Sequence, residues 1–312
     1  MQRFRNLAIA STVATFLLIT VGGLVRATKS GLGCGTDWPE CHGRLVPALE
    51  TRAAVIEFSH RAIAGVVVVL VVLLVLAAYR YERGSSRLKR ACMGALALVL
   101  GQAALGAVVV KLELDAESVV LHLATAMALL AMLVYVTIAS HVTGTEYPSD
   151  RALSRQSAVA AGAVLALLLV GSYLSGLAEG SVFDDWPLMN GRLLPALSST
   201  AVVAHVVHRY LAVLVGVVVL AAALRSMRLR QRLPVPARYA RVAVGMFAAQ
   251  VAIGALNVWT NLNEVVVTLH LVTGAAIWGN LVAMTVTAHP TLARATSERT
   301  QPASQPALEG TT

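Results

Sequence analysis

The sequence DWPECHGRLVPAL occupies residues 37–49, and the sequence DWPLMNGRLLPAL occupies residues 185–197. Nine of the thirteen positions are identical, and the two stretches lie 148 positions apart. Apolar sequence of low complexity matches by accident, but rare polar residues matched at one constant spacing indicate an internal repeat. The same offset relates five further pairs: His60 and His208, Arg61 and Arg209, Gln102 and Gln250, Gly106 and Gly254, and His122 and His270.

The composition places this repeat in a membrane. Hydrophobic residues make up 57% of the 312 residues and charged residues only 13%, whereas soluble domains average about a quarter charged residues. One run, from Ala62 to Ala78, contains no charge, and a helix needs about 20 apolar residues to cross a bilayer. We predict eight spans, near residues 7–27, 53–79, 91–111, 119–141, 157–177, 201–224, 240–259 and 265–288.

Each copy of the repeat contains four spans, so both copies enter the membrane from the same side. The copies are therefore parallel and related by a pseudo-twofold axis along the membrane normal. We predict an all-α membrane protein of eight transmembrane helices, arranged as two tandem pseudo-twofold-related four-helix bundles. The predicted units are an N-terminal bundle (1–143), a cytoplasmic linker (144–156), a C-terminal bundle (157–288) and a disordered cytoplasmic tail (289–312).

The net charge of +9 carries orientation information. Basic residues fall on alternate loops, near residues 3–5, 80–90, 151–155 and 225–238, whereas the intervening loops carry acidic residues such as Glu113. The positive-inside rule then predicts a multi-pass protein of the cell membrane, surrounded by lipid, with both termini in the cytoplasm. Because the excess charge is explained by topology, we expect no nucleic-acid partner.

Two cysteines support this orientation. Cys34 and Cys41 lie in the first outer loop, where an oxidising compartment permits a disulfide. We predict a Cys34–Cys41 disulfide, and the alternative is a reduced pair with a redox role. The third cysteine, Cys92, lies at the cytoplasmic start of the third span.

Four histidines lie near the outer ends of the even-numbered spans: His60, His122, His208 and His270. Ionisable groups inside a membrane are costly and are functional candidates by default. Each unit offers two imidazoles from two helices, an arrangement suited to a planar iron macrocycle with one axial ligand on each side. The alternatives are hydrogen bonds to neighbouring helices, a zinc site and a proton relay.

The two units differ beside their histidines. Glu57 lies three residues before His60, on the same helix face, and the repeat maps Glu57 onto His205. A buried carboxylate can move protons, so we predict a chemical role for the first site and an electron-carrying or structural role for the second. The alternative is that Glu57 forms an ion pair with Arg61 and only neutralises it.

Several other polar residues have two interpretations each. Arg61, Arg209, Arg44 and Arg192 either bind the propionates of a tetrapyrrole or extend to the lipid headgroups. Trp38 and Trp186 are interfacial anchors or cofactor walls. Gln102 and Gln250 either bond across helices or touch the cofactor. His42 and His141 have no repeat partners and are predicted to lie at the surface.

Taken together, the eight spans in two halves, the Glu57–Arg61 run EFSHR, the paired histidines and the cysteine pair resemble haem A synthase. That family oxidises a ring methyl of haem O to the formyl group of haem A by successive hydroxylations. The resemblance implies that His60, His122 and Arg61 hold the haem O substrate, with Glu57 as the catalytic residue.

The same resemblance implies that His208 and His270 are the axial ligands of a haem b cofactor that passes electrons. Some members of the family carry a second disulfide, but here Val182 and Met189 occupy the positions equivalent to Cys34 and Cys41. The resemblance leaves room for contact with a haem O synthase, for a membrane-bound or soluble electron donor and for a homo-oligomer. The alternative functions are a two-haem electron-transfer cytochrome without chemistry on the haem, and a transporter with parallel repeats.

Overall fold

The computed structural model describes residues 2–45, 50–81, 85–141, 148–177 and 182–290. Eight of its helices are long and apolar enough to cross a membrane, which confirms the predicted eight-span, all-α membrane protein. The helices are α1 (Gln2–Ala27), α2 (Arg52–Tyr81), α3 (Ser86–Lys111), α4 (Ala116–His141), α5 (Arg151–Leu177), α6 (Thr200–Arg228), α7 (Pro234–Trp259) and α8 (Glu264–Ala288).

Helices α3, α5 and α7 begin five or six residues before the predicted spans, at Ser86, Arg151 and Pro234. Hydropathy detects only the apolar part of a helix, whereas these helices continue into a polar turn. Ser85 and Asp150 accept hydrogen bonds from the first turns of α3 and α5, and a proline stands at the start of α7, where it needs no intrahelical hydrogen bond. Residues 142–147 and 291–312, which include parts of the predicted linker and tail, lie outside the described residues.

Within each half the four helices form a ring. In the first half α1 packs against α2 and α4, and α3 packs against the same two helices. In the second half α5 and α7 each pack against α6 and α8. The ring places α2 opposite α4, and α6 opposite α8, so that the histidine-bearing helices face each other across their bundles.

The contacts between the halves follow the predicted twofold symmetry. Helix α1 packs against α8, its counterpart α5 packs against α4, and α4 packs against α8. The end of the bundle that carries the Cys34–Cys41 disulfide is called the outer side below. There, Arg52 at the start of α2 forms an ion pair with Glu264 at the start of α8. The Arg26 guanidinium donates a hydrogen bond to the Ser175 carbonyl, 3.3 Å away, which further joins the halves.

The repeat extends to individual backbone angles in the outer turns. Glu113 and Leu114 have φ angles of 52° and 67°, and their equivalents Asn261 and Leu262 have φ angles of 49° and 59°. The repeated loops also share a cis peptide bond before Pro39 and Pro187. Turns built in the same way return α4 and α8 to their bundles at equivalent positions, which sets the histidines of the two halves at equivalent heights.

Candidate functional site

The four histidines lie in two pairs, one in each bundle. His60 on α2 is opposite His122 on α4, and His208 on α6 is opposite His270 on α8. All four side chains are partly buried. The duplicated fold therefore brings together the residues that the sequence had predicted as pairs.

The distance between His208 and His270 is suitable for a shared metal atom. Their ring centroids are 6.4 Å apart, and the ring planes are inclined at 58°. Imidazole–metal bonds are about 2.0 Å long and each nitrogen lies roughly 1.2 Å from its ring centre, so two opposed imidazoles on one metal have centroids roughly 6.4 Å apart. The second pair thus has the spacing that two axial ligands of one iron atom require.

Each of these rings also has a buried nitrogen in need of a partner. The Nδ1 atoms of His60, His122, His208 and His270 are buried and make no hydrogen bond within normal geometric limits in the described part of the chain. Buried polar atoms without partners are uncommon and call for an explanation. The Nδ1 atom of His205 is likewise buried without a hydrogen-bond partner among the described residues, so this feature does not distinguish the four candidate ligands from the other histidine of α6.

A glycine on the preceding helix lies beside each ring. A Cβ atom placed on Gly22, Gly106 or Gly254 would lie 3.1, 3.2 and 3.2 Å from Cε1 of His60, His122 and His270, respectively. A Cβ atom on Gly171 would lie 2.9 Å from Cε1 of His208. The constant offset relates Gly106 to Gly254, but it does not predict that either residue lies beside a histidine. Gly22 and Gly171 are not related by the constant offset and give no repeat signal.

These observations fit a tetrapyrrole better than a metal ion bound by protein alone. A closed zinc site needs four protein ligands, and no group of three His, Cys, Asp or Glu side chains suited to a metal occurs among residues with described positions. A haem brings four nitrogens of its own and needs two axial ligands. Each bundle offers two opposed imidazoles, so the donor set matches a haem.

Glu57 is the carboxylate beside the first pair, and it is only 3% exposed. Its Oε2 accepts a hydrogen bond of 2.8 Å from the backbone N–H of Cys34, and its Oε1 forms an ion pair with Arg61. The predicted alternative, an ion pair between Glu57 and Arg61, is therefore present. Helix spacing did not predict the hydrogen bond from Cys34, which joins the Glu57 carboxylate to the disulfide loop.

Arg61 and Arg209 hold the repeated outer loops in equivalent ways. Arg61 donates to the carbonyls of Asp37 and Glu40, at 2.8 and 2.6 Å. Arg209 donates to the carbonyls of the equivalent residues Asp185 and Leu188, at 3.2 and 2.6 Å. The guanidinium groups thus fasten each loop to the helix that carries the neighbouring histidine. Neither of the two roles predicted for these arginines included this contact.

The two loops are closed by different interactions. Cys34 and Cys41 form a disulfide in the first loop, as predicted. In the second loop, the equivalent residues Val182 and Met189 belong to a small apolar cluster with Phe183 and Val206. Apolar packing therefore replaces the covalent link, and the first site alone has a disulfide within hydrogen-bonding reach of a buried carboxylate.

His205 takes the place of Glu57 in the second half. Its Nε2 accepts a hydrogen bond of 3.2 Å from Nε of Arg209, and its ring lies 5.0 Å from the ring of Phe183. In the same loop, backbone N–H groups of Gly191 and Asn190 donate to the Asp185 carboxylate and lower its pKa. Within the described part of this loop, Asp184 is exposed and Asp185 is partly exposed, whereas the α6 position equivalent to Glu57 carries an imidazole.

The remaining candidates have clear positions. Gln102 and Gln250 donate hydrogen bonds of 2.9 Å to the carbonyls of His122 and His270, so both glutamines bond across helices. Arg44, Arg192, Trp38 and Trp186 are exposed at the outer loops, and His42 and His141 are exposed as well. The two glutamines fix the backbone that carries the second histidine of each pair.

Comparisons with known proteins agree with this geometry. The family model described as "Cytochrome oxidase assembly protein", COX15-CtaA, matches residues 5–282. The chain is 32% identical over 293 residues to a heme A synthase from Symbiobacterium thermophilum, which covers 90% of this chain and 94% of the relative. It is 27% identical over 278 residues to a heme A synthase from Staphylococcus carnosus, which covers 86% of this chain and 90% of the relative.

The family match covers all eight helices except the first residues of α1 and the last residues of α8, and it includes both histidine pairs, both repeated loops and Glu57. The duplicated bundles and the comparisons therefore lead to the same assignment. This chain belongs to the COX15-CtaA family of cytochrome oxidase assembly proteins.

Proposed function

We propose that this protein is a haem A synthase, an oxidoreductase that converts the ring methyl of haem O to the formyl group of haem A by successive hydroxylations. The observation that carries the proposal is the asymmetry of two otherwise equivalent histidine pairs, because among the residues that the structure describes only the first pair has a buried carboxylate beside it, Glu57. Relatives that bear the name heme A synthase match this chain over most of both lengths.

The C-terminal bundle is the electron-carrying half in this proposal. His208 and His270 are the axial ligands of haem b, and their 6.4 Å ring separation supports this role. A haem b bound there supplies a reversible one-electron carrier. The apolar cluster of Phe183, Met189 and Val206 joins the second loop to α6, the helix that carries His208.

The N-terminal bundle is the substrate half. His60 and His122 hold haem O, and Glu57 lies one helical turn before His60. A buried carboxylate at this position stabilises positive charge that develops at the methyl carbon, or takes up a proton from a nearby hydroxyl. Arg61 acts on this site through the loop that it holds, and a direct contact between its guanidinium and a propionate remains a prediction.

Replacement of Glu57 tests the enzyme function directly. We expect Glu57→Gln to retain the haem b spectrum and to make no haem A in cells that accumulate haem O, because the amide keeps the shape but removes the charge. Glu117→Gln, at an exposed carboxylate of the same outer side, is the matched control and should make haem A normally. Pigments are extracted and separated to measure the ratio of haem A to haem O.

Two outcomes would replace the proposal. Absence of haem A from cells that carry the wild-type protein would favour a two-haem cytochrome that carries electrons without altering the haem, whereas normal haem A production by Glu57→Gln would remove the catalytic role of Glu57. A purified wild-type protein without a visible haem spectrum would favour a transporter. Retention of low-spin bands in wild type, with their loss in His208→Ala and His270→Ala, would support the assignment of the second site.

A further inference from the structure

The space around the four candidate ligands points to a role for residues on the adjacent odd-numbered helices. Each imidazole lies on an even-numbered helix, and its Cε1 atom faces a glycine on the odd-numbered helix before it. We propose that Gly22, Gly106, Gly171 and Gly254 are positioning residues, whose missing side chains allow each axial histidine to lie against a neighbouring backbone. This inference rests on the proposed function, because it concerns the same haem sites.

The distances leave little room for a methyl group. Carbon atoms in favourable contact are about 3.5–4.0 Å apart, whereas a Cβ atom on these four glycines would lie 2.9–3.2 Å from an imidazole carbon. The imidazole is rigid and has only two side-chain torsions, so it can yield only by turning or by moving into the site. Metal–ligand distances tolerate changes of about 0.2 Å, which is less than the movement that an alanine would demand.

Two features separate these glycines from those that only let helices approach closely, a common use of glycine in membranes. First, a Cβ on Gly33 would meet the backbone of Ala53, and a Cβ on Gly176 would meet Ala116, so these glycines contact structural neighbours. Second, the same ring atom, Cε1 of a candidate ligand, is the nearest neighbour at all four positioning glycines. A role in helix packing alone does not require an imidazole at each of the four positions, whereas ligand positioning does.

The chain provides a matched control on the same helix for three of the four glycines. A Cβ on Gly101, Gly162 or Gly245 would meet nothing within 4 Å in the described part of the chain. Gly101 shares α3 with Gly106, Gly162 shares α5 with Gly171, and Gly245 shares α7 with Gly254. Each pair of alanine variants therefore changes helix propensity equally and differs only in contact with the histidine.

The test uses the full-length protein purified in detergent with its haem, beginning with wild type. For Gly171→Ala and Gly254→Ala we expect a weaker hold on haem b by about 10–100-fold, as is typical when an orienting neighbour of a metal ligand is changed. We also expect partial conversion from the low-spin to the high-spin spectrum, a shifted midpoint potential, and recovery of low-spin bands on addition of imidazole. Gly162→Ala and Gly245→Ala should match wild type in all three readouts.

The result that overturns the inference is a wild-type spectrum, potential and haem affinity in both Gly171→Ala and Gly254→Ala. Equal haem loss in a glycine variant and its control, with equal loss of thermal stability and no response to imidazole, would also overturn it, because that result indicates helix packing alone. Absence of haem from wild type would instead overturn the proposed function. Gly106→Ala against Gly101→Ala, assayed by haem O binding, applies the same comparison to the first bundle.

Discussion

At the scale of single residues, the main difference between the halves is the partner of each loop-holding arginine. Arg61 pairs with the carboxylate of Glu57, whereas Arg209 meets the imidazole of His205. Both arginines donate to two equivalent loop carbonyls. The same construction therefore surrounds a buried ion pair in one half and a charge–imidazole contact in the other, which gives the two arginines different energetic roles.

Arg61→Gln should consequently destabilise the protein more than Arg209→Gln. Removal of Arg61 leaves Glu57 buried without its cation, and breaking one partner of a buried pair costs about 3–5 kcal/mol. Both variants lose the equivalent loop hydrogen bonds, so the remaining partner decides the difference. Removal of Arg209 loses one hydrogen bond from a charged group to His205, about 1.5–3 kcal/mol, and leaves no buried carboxylate. Thermal unfolding of the purified variants measures the difference.

A double variant provides the control for this comparison. In Glu57→Gln/Arg61→Gln the buried charge is gone, so we expect part of the stability lost in Arg61→Gln to return. Equal melting temperatures for Arg61→Gln and Arg209→Gln, with no recovery in the double variant, would show that Arg61 serves only to hold the loop.

The sequence predicted these contacts unevenly. The spacing of Glu57 and Arg61 on one helix was sufficient to suggest their ion pair. The hydrogen bond from Cys34 to Glu57 joins residues 23 positions apart, and the donor is a backbone group that any residue would supply. Contacts of this kind, like those from the arginines to loop carbonyls, depend on the path of the loop and leave no pattern in side-chain types.

At the scale of helices, the four histidine-bearing elements have repeated polar caps at their outer ends. Thr51 and Ser199 accept hydrogen bonds from backbone N–H groups in the first turns of α2 and α6. Asp115 and its equivalent Asn263 do the same for α4 and α8. The free N–H groups of a helix start need such partners, and each cap lies within a few turns of a candidate ligand.

Asn263→Ala should therefore lower stability and loosen the outer end of α8. Loss of an N-cap side chain costs about 1 kcal/mol, and the Val265 amide, 3.0 Å from the Asn263 side-chain oxygen, should exchange faster with solvent deuterium. Asn263→Asp preserves the acceptor and is the matched control, with a melting temperature near that of wild type. If Asn263→Ala has the same melting temperature and amide exchange as Asn263→Asp and wild type, the cap contributes nothing to the stability of α8.

The helices also show how far a sequence pattern determines an element. The apolar runs predicted all eight, because lipid leaves a helix as the only way for a single span to satisfy its backbone. The same runs located the starts of α3, α5 and α7 too late, since polar first turns such as Arg151–Gln156 carry no hydropathy signal. Capping residues would have corrected those boundaries, as Ser85 and Asp150 illustrate.

At the scale of the whole molecule, the repeat predicted more than composition did. A parallel duplication of four spans required α1–α8 and α4–α5 to be equivalent contacts, and both are present. The repeat also paired the histidines across opposite helices. It did not predict the glycines beside His60 and His208, because their spacing departs from the common offset by one residue. Close contacts follow the local rotation of a helix, which a sequence offset does not record.

The orientation of the molecule is the remaining large-scale prediction. One end of the bundle carries the starts of the odd-numbered helices and the ends of the even-numbered ones, together with basic turns such as Arg228–Arg232. The other end carries the disulfide and the histidines. The positive-inside rule and the oxidising chemistry of a disulfide both place the basic end in the cytoplasm. The haem sites would then lie near the outer leaflet.

Labelling of single cysteines in intact cells with a membrane-impermeant maleimide tests this orientation. Asp184→Cys, in the exposed second outer loop, should react directly, whereas Arg230→Cys, in the exposed turn between α6 and α7, should react only after the membrane is permeabilised. The parent protein is the control, because Cys92 is buried and the other two cysteines are joined. Labelling of Arg230→Cys in intact cells, with protection of Asp184→Cys, would reverse the topology and place both haem sites on the cytoplasmic side, where a reducing environment would act against the Cys34–Cys41 bond.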